Sequence, residues 1–436
     1  MFAKKTIKDV SVSDKKVLVR VDYNVPADSD GRISDDYRIK QSLPTIQYLR
    51  DQGAKVILMS HRGRPSGTTE YDSATSLRPC AERLSELLGV EVQFADGCTG
   101  EKVKTFVDHL QAGQVLVLEN VRYHDEEEQN SEEFARQILD ATGAELFVQD
   151  GFGVVHRAHT TTDAIARAGL PAVAGLLLEK EVDTITSVMD EPKRPLMVVV
   201  GGAKISDKIE ILNKFIDIAD YVAVVGALAN TFLLAQGHKV GTSLAEPNDI
   251  PLAKEIMARA HEKASKQRFT FYVPRDVVAA KDMTPESSTR IVDLGQNTWA
   301  DITTYPKKPQ DNAFSVAEDE KILDIGPISA AHIAGAIQMS ETLIWNGTAG
   351  VTEVKGLAGA QDPFAHGTKT MVQAMLGEAG EQNKPFVVVG GGDTVAFVES
   401  QEGLRERLGH VSTGGGASLD LMAGKDLPGV VVLDNK

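Results

Sequence analysis

Cysteine is scarce in this chain: two residues in 436, Cys80 and Cys98. That excludes a disulfide-stapled scaffold and fits a reducing compartment, so a cytoplasmic location is expected. Long apolar runs are missing too. No stretch of 18 residues is continuously apolar, so no spanning helix is expected. The start, Met1 to Thr6, has no apolar leader region. Positive charge is in deficit, with 46 Lys and Arg against 62 Asp and Glu and a net charge of −16. A broad basic face for nucleic acid or a membrane is therefore not expected. The same deficit gives weight to any local cluster of arginines. Three motifs are absent: G-x-x-x-x-G-K-[ST], G-x-G-x-x-G and G-x-S-x-G. Their absence argues against a P-loop, a dinucleotide fold and a serine nucleophile elbow.

What the chain has is a repeated alternation. Short β-branched runs are followed by polar or Gly-rich turns and then by amphipathic segments. Runs this apolar suit parallel strands covered on both faces. In the first half the pattern predicts strands over Lys16–Val21, Lys55–Met59, Val115–Leu118 and Leu146–Gln149. Helices are predicted over Arg38–Gln52, Leu77–Leu88 and Ser131–Ala141. The second half predicts strands over Leu196–Val200, Tyr221–Val225, Thr270–Val273, Lys321–Asp324, Thr342–Ile344 and Phe386–Val389. Its helices are Ser206–Ile218, Leu252–Gln267, Ala330–Gln338 and Gly367–Glu378. This order implies an α/β fold of doubly wound parallel sheets. A length of 436 residues favours two domains. The segment Ala174–Glu191 reads as a helical connector between them, and Ser287–Asn312 as a polar loop. Asp125-Glu126-Glu127-Glu128 reads as a solvated helix start.

Ligands of open α/β sheets sit off the carboxyl ends of the strands. In the first half those ends carry Arg20-Val21-Asp22-Tyr23-Asn24, His61-Arg62-Gly63-Arg64, Glu119-Asn120-Val121-Arg122 and His156-Arg157-Ala158-His159. Each brings an arginine, whose planar fork matches carboxylate and phosphate oxygens. The inference is a pocket for a small polyanion, with Asp22 and Asn24 on its hydroxyl groups and Arg38 within reach. His156 and His159 supply half a metal site at most, with no partners to complete it.

The second half ends its strands in glycines: Gly201-Gly202-Ala203-Lys204, Gly226-Ala227-Leu228, Gly326-Pro327, Trp345-Asn346-Gly347 and Gly390-Gly391-Gly392-Asp393-Thr394. Glycine admits close backbone approach, and the following helix offers free N–H groups to an anion. Lys204 and Lys208 are spaced to share a helix face. Asp393 suits a Mg²⁺ held beside phosphates. Together these point to a nucleoside di- or triphosphate. Gly414-Gly415-Gly416 reads either as a turn before the last helix or as a joint that returns the tail to the first lobe.

These motifs, in order from residue 20 to residue 418, resemble the phosphoglycerate kinase family. The resemblance implies two Rossmann-like lobes with parallel sheets joined by a connecting helix. It divides the chain into a triose lobe (1–173), the helix (174–191), a nucleotide lobe (192–408) and a tail returning to the first lobe (409–436). It implies phosphoryl transfer between 1,3-bisphosphoglycerate and ADP, by hinge closure, in a monomer using Mg²⁺ with ADP or ATP. The triose would be held by Asp22, Asn24, Arg38, His61, Arg64, Arg122 and Arg157, with Tyr23, Arg62 and Gly63 beside them. The nucleotide would be served by Lys204, Lys208, Gly226, Ala227, Asn346, Glu353, Gly390, Gly391, Gly392, Asp393 and Thr394. Arg38 and Lys204 would flank the transferring group, and Lys208 would join them in catalysis. Thr348, Ala349, Leu228 and Arg275 depart from the family pattern on the nucleotide side. A two-lobed sensor of phosphorylated acids would explain the arginines but not Lys204, Lys208 and Asp393. An acyl-phosphate-forming ligase is a further rival.

Overall fold

The computed structural model describes residues 2–28, 31–65, 74–295, 314–357, 361–378 and 384–436. The chain divides into two compact units, 1–186 with 416–436, and 187–415.

The first unit is built on six strands: β1 (Lys16–Arg20), β2 (Lys55–Met59), β3 (Val92–Phe94), β4 (Val115–Val117), β5 (Leu146–Gln149) and β6 (Ala172–Ala174). They pair in parallel in the order β3-β4-β2-β1-β5-β6. Helices α1 (Tyr37–Asp51), α2 (Arg78–Leu88), α3 (Gly100–His109) and α4 (Glu132–Thr142) connect them. The boundaries of α4 have clear local causes. Ser131 caps the start by accepting from Phe134 N at 3.2 Å, and Gly143 ends the helix in the left-handed region at φ 54°. Val17, Val19, Val56, Leu58, Val115 and Val117 pack into one fully buried cluster with Ile39, Ile46 and Leu49 of α1. The long helix α5 (Leu176–Asp190) carries the division, between Thr186 and Ser187.

The parallel sheet of the second unit contains β7 (Leu196–Val200), β8 (Tyr221–Val224) and β9 (Thr270–Tyr272). Two more strands, β10 (Asp276–Ala280) and β11 (Arg290–Asp293), stand apart with β12 (Lys321–Ile325). The parallel sheet resumes in β13 (Thr342–Asn346), β14 (Phe386–Val389) and β15 (His410–Val411), with order β15-β14-β13-β7-β8-β9. The helices are α6 (Ile209–Ile218), α7 (Gly226–Ala235), α8 (Ile250–Lys266), α9 (Pro327–Gln338), α10 (His366–Met375), α11 (Gly392–Ser400), α12 (Leu404–Arg407), α13 (Gly415–Met422) and α14 (Pro428–Val431).

The sheet β11-β10-β12 is antiparallel and corrects two expectations. Lys321–Asp324 belongs to it and not to the parallel sheet. Arg290–Asp293, expected within a loop, is one of its strands; residues 296–312 of that expected loop lie outside the described residues. The cause is connection length. Only Val273, Pro274 and Arg275 separate β9 from β10, far short of the dozen or so residues that a parallel crossover needs.

At the carboxyl end of the chain, β15 pairs with β14, so residues through Gly415 stay with the second unit. Gly415 and Gly416 form the first turn of α13, and the division falls between them. The remaining tail lies on the first unit. Asp434 N donates to Ala172 O at 2.8 Å, Lys436 N to Ala3 O at 3.0 Å and Gly429 N to Val155 O at 2.9 Å.

The acidic run at 125–128 is corrected at one residue, since Asp125, Glu126 and Glu128 are exposed at a short 3₁₀ turn. Glu127 is fully buried and does not sit on a solvated face. It accepts from Thr161 N at 3.0 Å and Thr161 Oγ1 at 2.6 Å, and lies 4.0 Å from the Arg20 guanidinium. Burial raises its pKa while Arg20 opposes the rise. The buried arginine needs a carboxylate, and this run supplies it.

Candidate functional site

The first unit places its arginines unequally. Arg20, at the end of β1, is buried and turned inward, with Nε donating to Thr161 Oγ1 at 2.8 Å. Arg62 is 3% exposed; its guanidinium donates to the carbonyls of Val25 at 3.3 Å and Ser76 at 2.9 Å. Tyr23 is fully buried, with its hydroxyl 2.9 Å from Ser42 Oγ. The side chains of Arg62 and Tyr23 therefore shape the loops and are spent on the core.

The others converge. Arg64, Arg122, Arg157 and His159 line a cavity of about 410 Å³. The Arg64 and Arg157 side chains are exposed and have no partner among the described residues. Arg122 is held in place, donating to Gly63 O at 3.1 Å and facing Glu128 at 3.2 Å. Burial, with help from Arg122, brings the His159 pKa down to about 4, so its ring is a neutral hydrogen-bonding group at pH 7. His124 and His159 were not among the predicted triose ligands. No pattern marks His124, which lines the cavity because the turn after β4 presents it there.

Beside this cavity lies a second group. Arg38 Nη1 meets Asp22 Oδ2 at 3.1 Å and donates to Asn24 O at the same distance. Asn24 Oδ1 accepts from Gly63 N at 2.8 Å, so the β1 and β2 loops hold one another. His61 Nδ1 lies 4.0 Å from Asp22 Oδ1. Burial pushes the His61 pKa well below its usual value and outweighs the attraction of Asp22, so the ring is neutral. Asp22 is the reverse case. Burial favours its neutral form, but Arg38, with Arg20 and the bond from Asn24 N, outweighs burial and keeps it ionised. The result is one fixed carboxylate, an amide and a half-buried guanidinium beside a cup of arginines. That set suits hydroxyl and carboxylate groups next to a phosphate.

The second unit holds a larger cavity, about 570 Å³, lined by Gly226, Ala227, Glu353 and Asp393 among others. Leu244 and Met283, both more than half exposed, lie on its rim and offer apolar area to a flat base. Neither was singled out in the sequence, because an exposed apolar residue has no signature until its neighbours are known. Thr348 and Ala349 line the cavity, while Leu228 is fully buried behind it.

Lys204 and Lys208 do not share a helix face. Glu246 accepts from Ile205 N, at 2.5 Å, and from Ser206 Oγ, at 3.2 Å. This holds the segment in a loop and a short 3₁₀ turn, so α6 starts only at Ile209. Lys204 is exposed and without a partner among the described residues. Lys208 turns inward, donating to Asn346 Oδ1 at 2.8 Å; burial lowers its pKa, with Asp393 and Asp207 opposing. Asn346 Nδ2 is buried and has no acceptor. A donor left unpaired beside a lysine is poised for an anion.

Gly390 N bonds Trp345 O at 3.0 Å, and Gly391 takes φ 91°. A Cβ there would fall 2.5 Å from Asn346 Nδ2, so only glycine fits. Gly392 opens α11, Asp393 follows in its first turn, and Thr394 Oγ1 accepts from Gly347 N at 2.7 Å. Among the described residues no three His, Cys, Asp or Glu side chains gather as a metal cluster, around His156 and His159 or elsewhere. A divalent cation at Asp393 would therefore take its other ligands from phosphate and water, as Mg²⁺ does. The residues present fit that group.

Three buried aspartates behind these sites escaped the sequence reading. Asp150 accepts from Leu177 N at 2.9 Å at the start of α5, Asp276 from Ser329 N at 2.7 Å on α9, and Asp324 from Gly367 N at 2.9 Å on α10. Each fixes a helix to the strand-end region where ligands bind. None has a local capping signature, because cap and helix are distant in sequence. Burial raises Asp324 to about 7 and Asp150 to about 8. No helix among the described residues is long and apolar enough to cross a membrane.

Comparison with known proteins adds to this geometry. The sequence profile of the family named phosphoglycerate kinase matches residues 7–425. The phosphoglycerate kinase of Moorella thermoacetica is 42% identical over 435 residues, covering all of both chains. That of Chloroflexus aggregans is 44% identical over 434 residues, 99% of each chain. Among solved structures, the phosphoglycerate kinase of Coxiella burnetii superposes with a TM-score of 0.79 at 31% identity, over 98% of each chain.

Proposed function

Because the chain belongs to the phosphoglycerate kinase family, we propose that its first unit binds the triose and its second the Mg²⁺-bound nucleotide, through the residues placed above. The enzyme itself catalyses reversible phosphoryl transfer between 1,3-bisphosphoglycerate and ADP, giving 3-phosphoglycerate and ATP, a step of glycolysis. The observation that carries the assignment of sites is the pair of guanidinium groups, Arg64 and Arg157, that have no partner among the described residues and line one cavity, although Asp125 and Glu128 line it too. Arginines held in no ion pair among the described residues are available to an anion from outside.

In this reading the triose phosphate lies on Arg64, Arg122 and Arg157. Its hydroxyl meets Asp22 and Asn24, and its carboxyl end points toward Arg38. The nucleotide base lies against Leu244 and Met283, with the phosphates on Lys208, the Asn346 amide and the start of α11. Mg²⁺, when bound through Asp393, neutralises charge on the phosphate oxygens. Phosphoryl transfer requires little covalent help, so the protein's part is positioning and charge. Arg38, half-buried against Asp22, and Lys204, exposed, offset charge on the group in flight. Hinge-bending about α5 brings donor and acceptor in line and excludes water that would intercept the phosphoryl group. The protein works as a cytoplasmic monomer.

A coupled assay of ATP-dependent acyl-phosphate formation tests the reading, with 3-phosphoglycerate against other phosphorylated acids. The double change Arg64→Ala with Arg157→Ala raises KM for 3-phosphoglycerate by about tenfold or more and leaves KM for ATP unchanged. An unchanged triose KM would remove this cavity from substrate binding.

A further inference from the structure

The second unit has another cavity, of about 480 Å³, separate from the one assigned to the nucleotide. That volume lies within the range of small-molecule sites. One wall is the face of α8 that carries Met257, Ala260, His261 and Ala264, which recur at helical spacing. Opposite are Phe271 of β9 and, in the turn after it, Arg275. The apolar walls suit a flat body about as wide as one or two fused rings.

The charge of the lining is unusual for this chain. Among the described residues no Asp or Glu lines the cavity, although the net charge is −16. Its polar members among the described residues are Gln236, His238, His261, Tyr272 and Arg275. The Arg275 guanidinium makes no hydrogen bond or ion pair with any described residue. Its charge acts on Tyr221, Tyr272 and His332, none of them an acid at neutral pH. Its neighbour Asp276 is occupied on α9, accepting from Ile328 N and Ser329 N at 2.9 and 2.7 Å. An arginine with an anchored backbone, an unanswered charge and apolar walls is a recognition group for an anion. The backbone is held on both sides, with Arg275 N donating to Ser329 Oγ at 2.9 Å and Arg275 O accepting from Leu294 N at 2.7 Å.

We infer that this cavity is a second ligand site, for a small planar organic anion whose acidic group bonds Arg275 while its ring lies on α8 and Phe271. Pro274 lines both this cavity and the nucleotide cavity, so the two sites share a wall one residue thick. Occupancy of one changes affinity at the other, and the effect is reciprocal.

The test uses 2-naphthoate as the probe, titrated calorimetrically into the full-length enzyme with and without saturating Mg-ADP and 3-phosphoglycerate. One equivalent binds in both conditions, with different affinity, and neutral 2-naphthol binds about tenfold more weakly or worse. Arg275→Ala weakens the probe by about tenfold or more. Ala264→Trp, at an exposed lining position, blocks the cavity without entering the core and abolishes binding. Both variants keep the ADP affinity of the unmodified enzyme when no probe is present. Failure of 2-naphthoate to bind at millimolar concentration overturns the inference. So does binding that Mg-ADP displaces competitively, which would put the probe in the nucleotide cavity, or binding that survives both substitutions. Equal ADP affinity with and without probe overturns the linkage through Pro274.

Discussion

Replacing Asp150 by asparagine isolates one charge at the root of the connecting helix. Asp150 Oδ1 accepts from Leu177 N at 2.9 Å and Leu178 N at 3.3 Å, while Oδ2 is buried with no partner. Gly175 gives it room, since a Cβ there would lie 2.1 Å from Oδ1. Burial raises the carboxyl from its ordinary 3.8 to about 8, against the opposing bonds from Thr45, Leu178 and Leu177. The folded state thus holds the proton more tightly than the unfolded chain does. The resulting stability is fully present below about pH 4 and is lost progressively as pH rises to about 8. A tenfold change in proton affinity corresponds to about 1.4 kcal/mol, so even half of this rise amounts to ~3 kcal/mol. Asparagine keeps the Oδ1 acceptor and puts a neutral NH₂ where Oδ2 stands. Urea unfolding of both proteins at pH 5 to 9 measures the effect. Far-UV circular dichroism is the probe, because both tryptophans, Trp299 and Trp345, lie outside the first unit. Asp150→Asn gains steadily on the unmodified protein as pH rises to about 8, and the difference is level above that. A difference that is constant with pH, or that grows toward acid, refutes the reasoning.

Three other outcomes follow from the geometry. Arg38→Ala loses about 10³-fold or more in turnover while 3-phosphoglycerate still binds, since Arg64, Arg122 and Arg157 remain; near-normal chemistry in single-turnover kinetics would take Arg38 out of that role. Glu127→Ala leaves Arg20 buried without its carboxylate and destabilises the first unit by about 3–5 kcal/mol, read as a lower urea midpoint. Gly391→Ala drives a Cβ against Asn346 Nδ2 and disturbs its pairing with Lys208, so KM for nucleotide rises while KM for the triose does not change.

Much of the fold was legible because parallel strands advertise themselves. Val17-Leu18-Val19, Val56-Ile57-Leu58 and Val387-Val388-Val389 are buried on both faces, so nothing polar interrupts them. The antiparallel sheet was not legible. Its strand Arg290–Asp293 mixes charged and apolar residues like a loop, and its pairing depends on a tight turn whose consequence is geometric. The short strands Val92–Phe94 and Ala172–Ala174 likewise fall below the length at which periodicity can be recognised.

For the site, the sequence alone settled which residue types stand at the ends of the strands, because chain order and strand polarity together decide which side chains reach the ligand edge. It could not say which arginines face out. Arg62 and Arg64 are two residues apart, yet one is spent on buried carbonyls and the other lines a cavity, exposed and without a partner among the described residues. Nor could it show that Glu127 answers Arg20, or that Asp150 caps a helix 27 residues further on. Those roles depend on which groups are desolvated together. Desolvation is a property of packed neighbours distant in the chain, and only the tertiary structure brings them into contact.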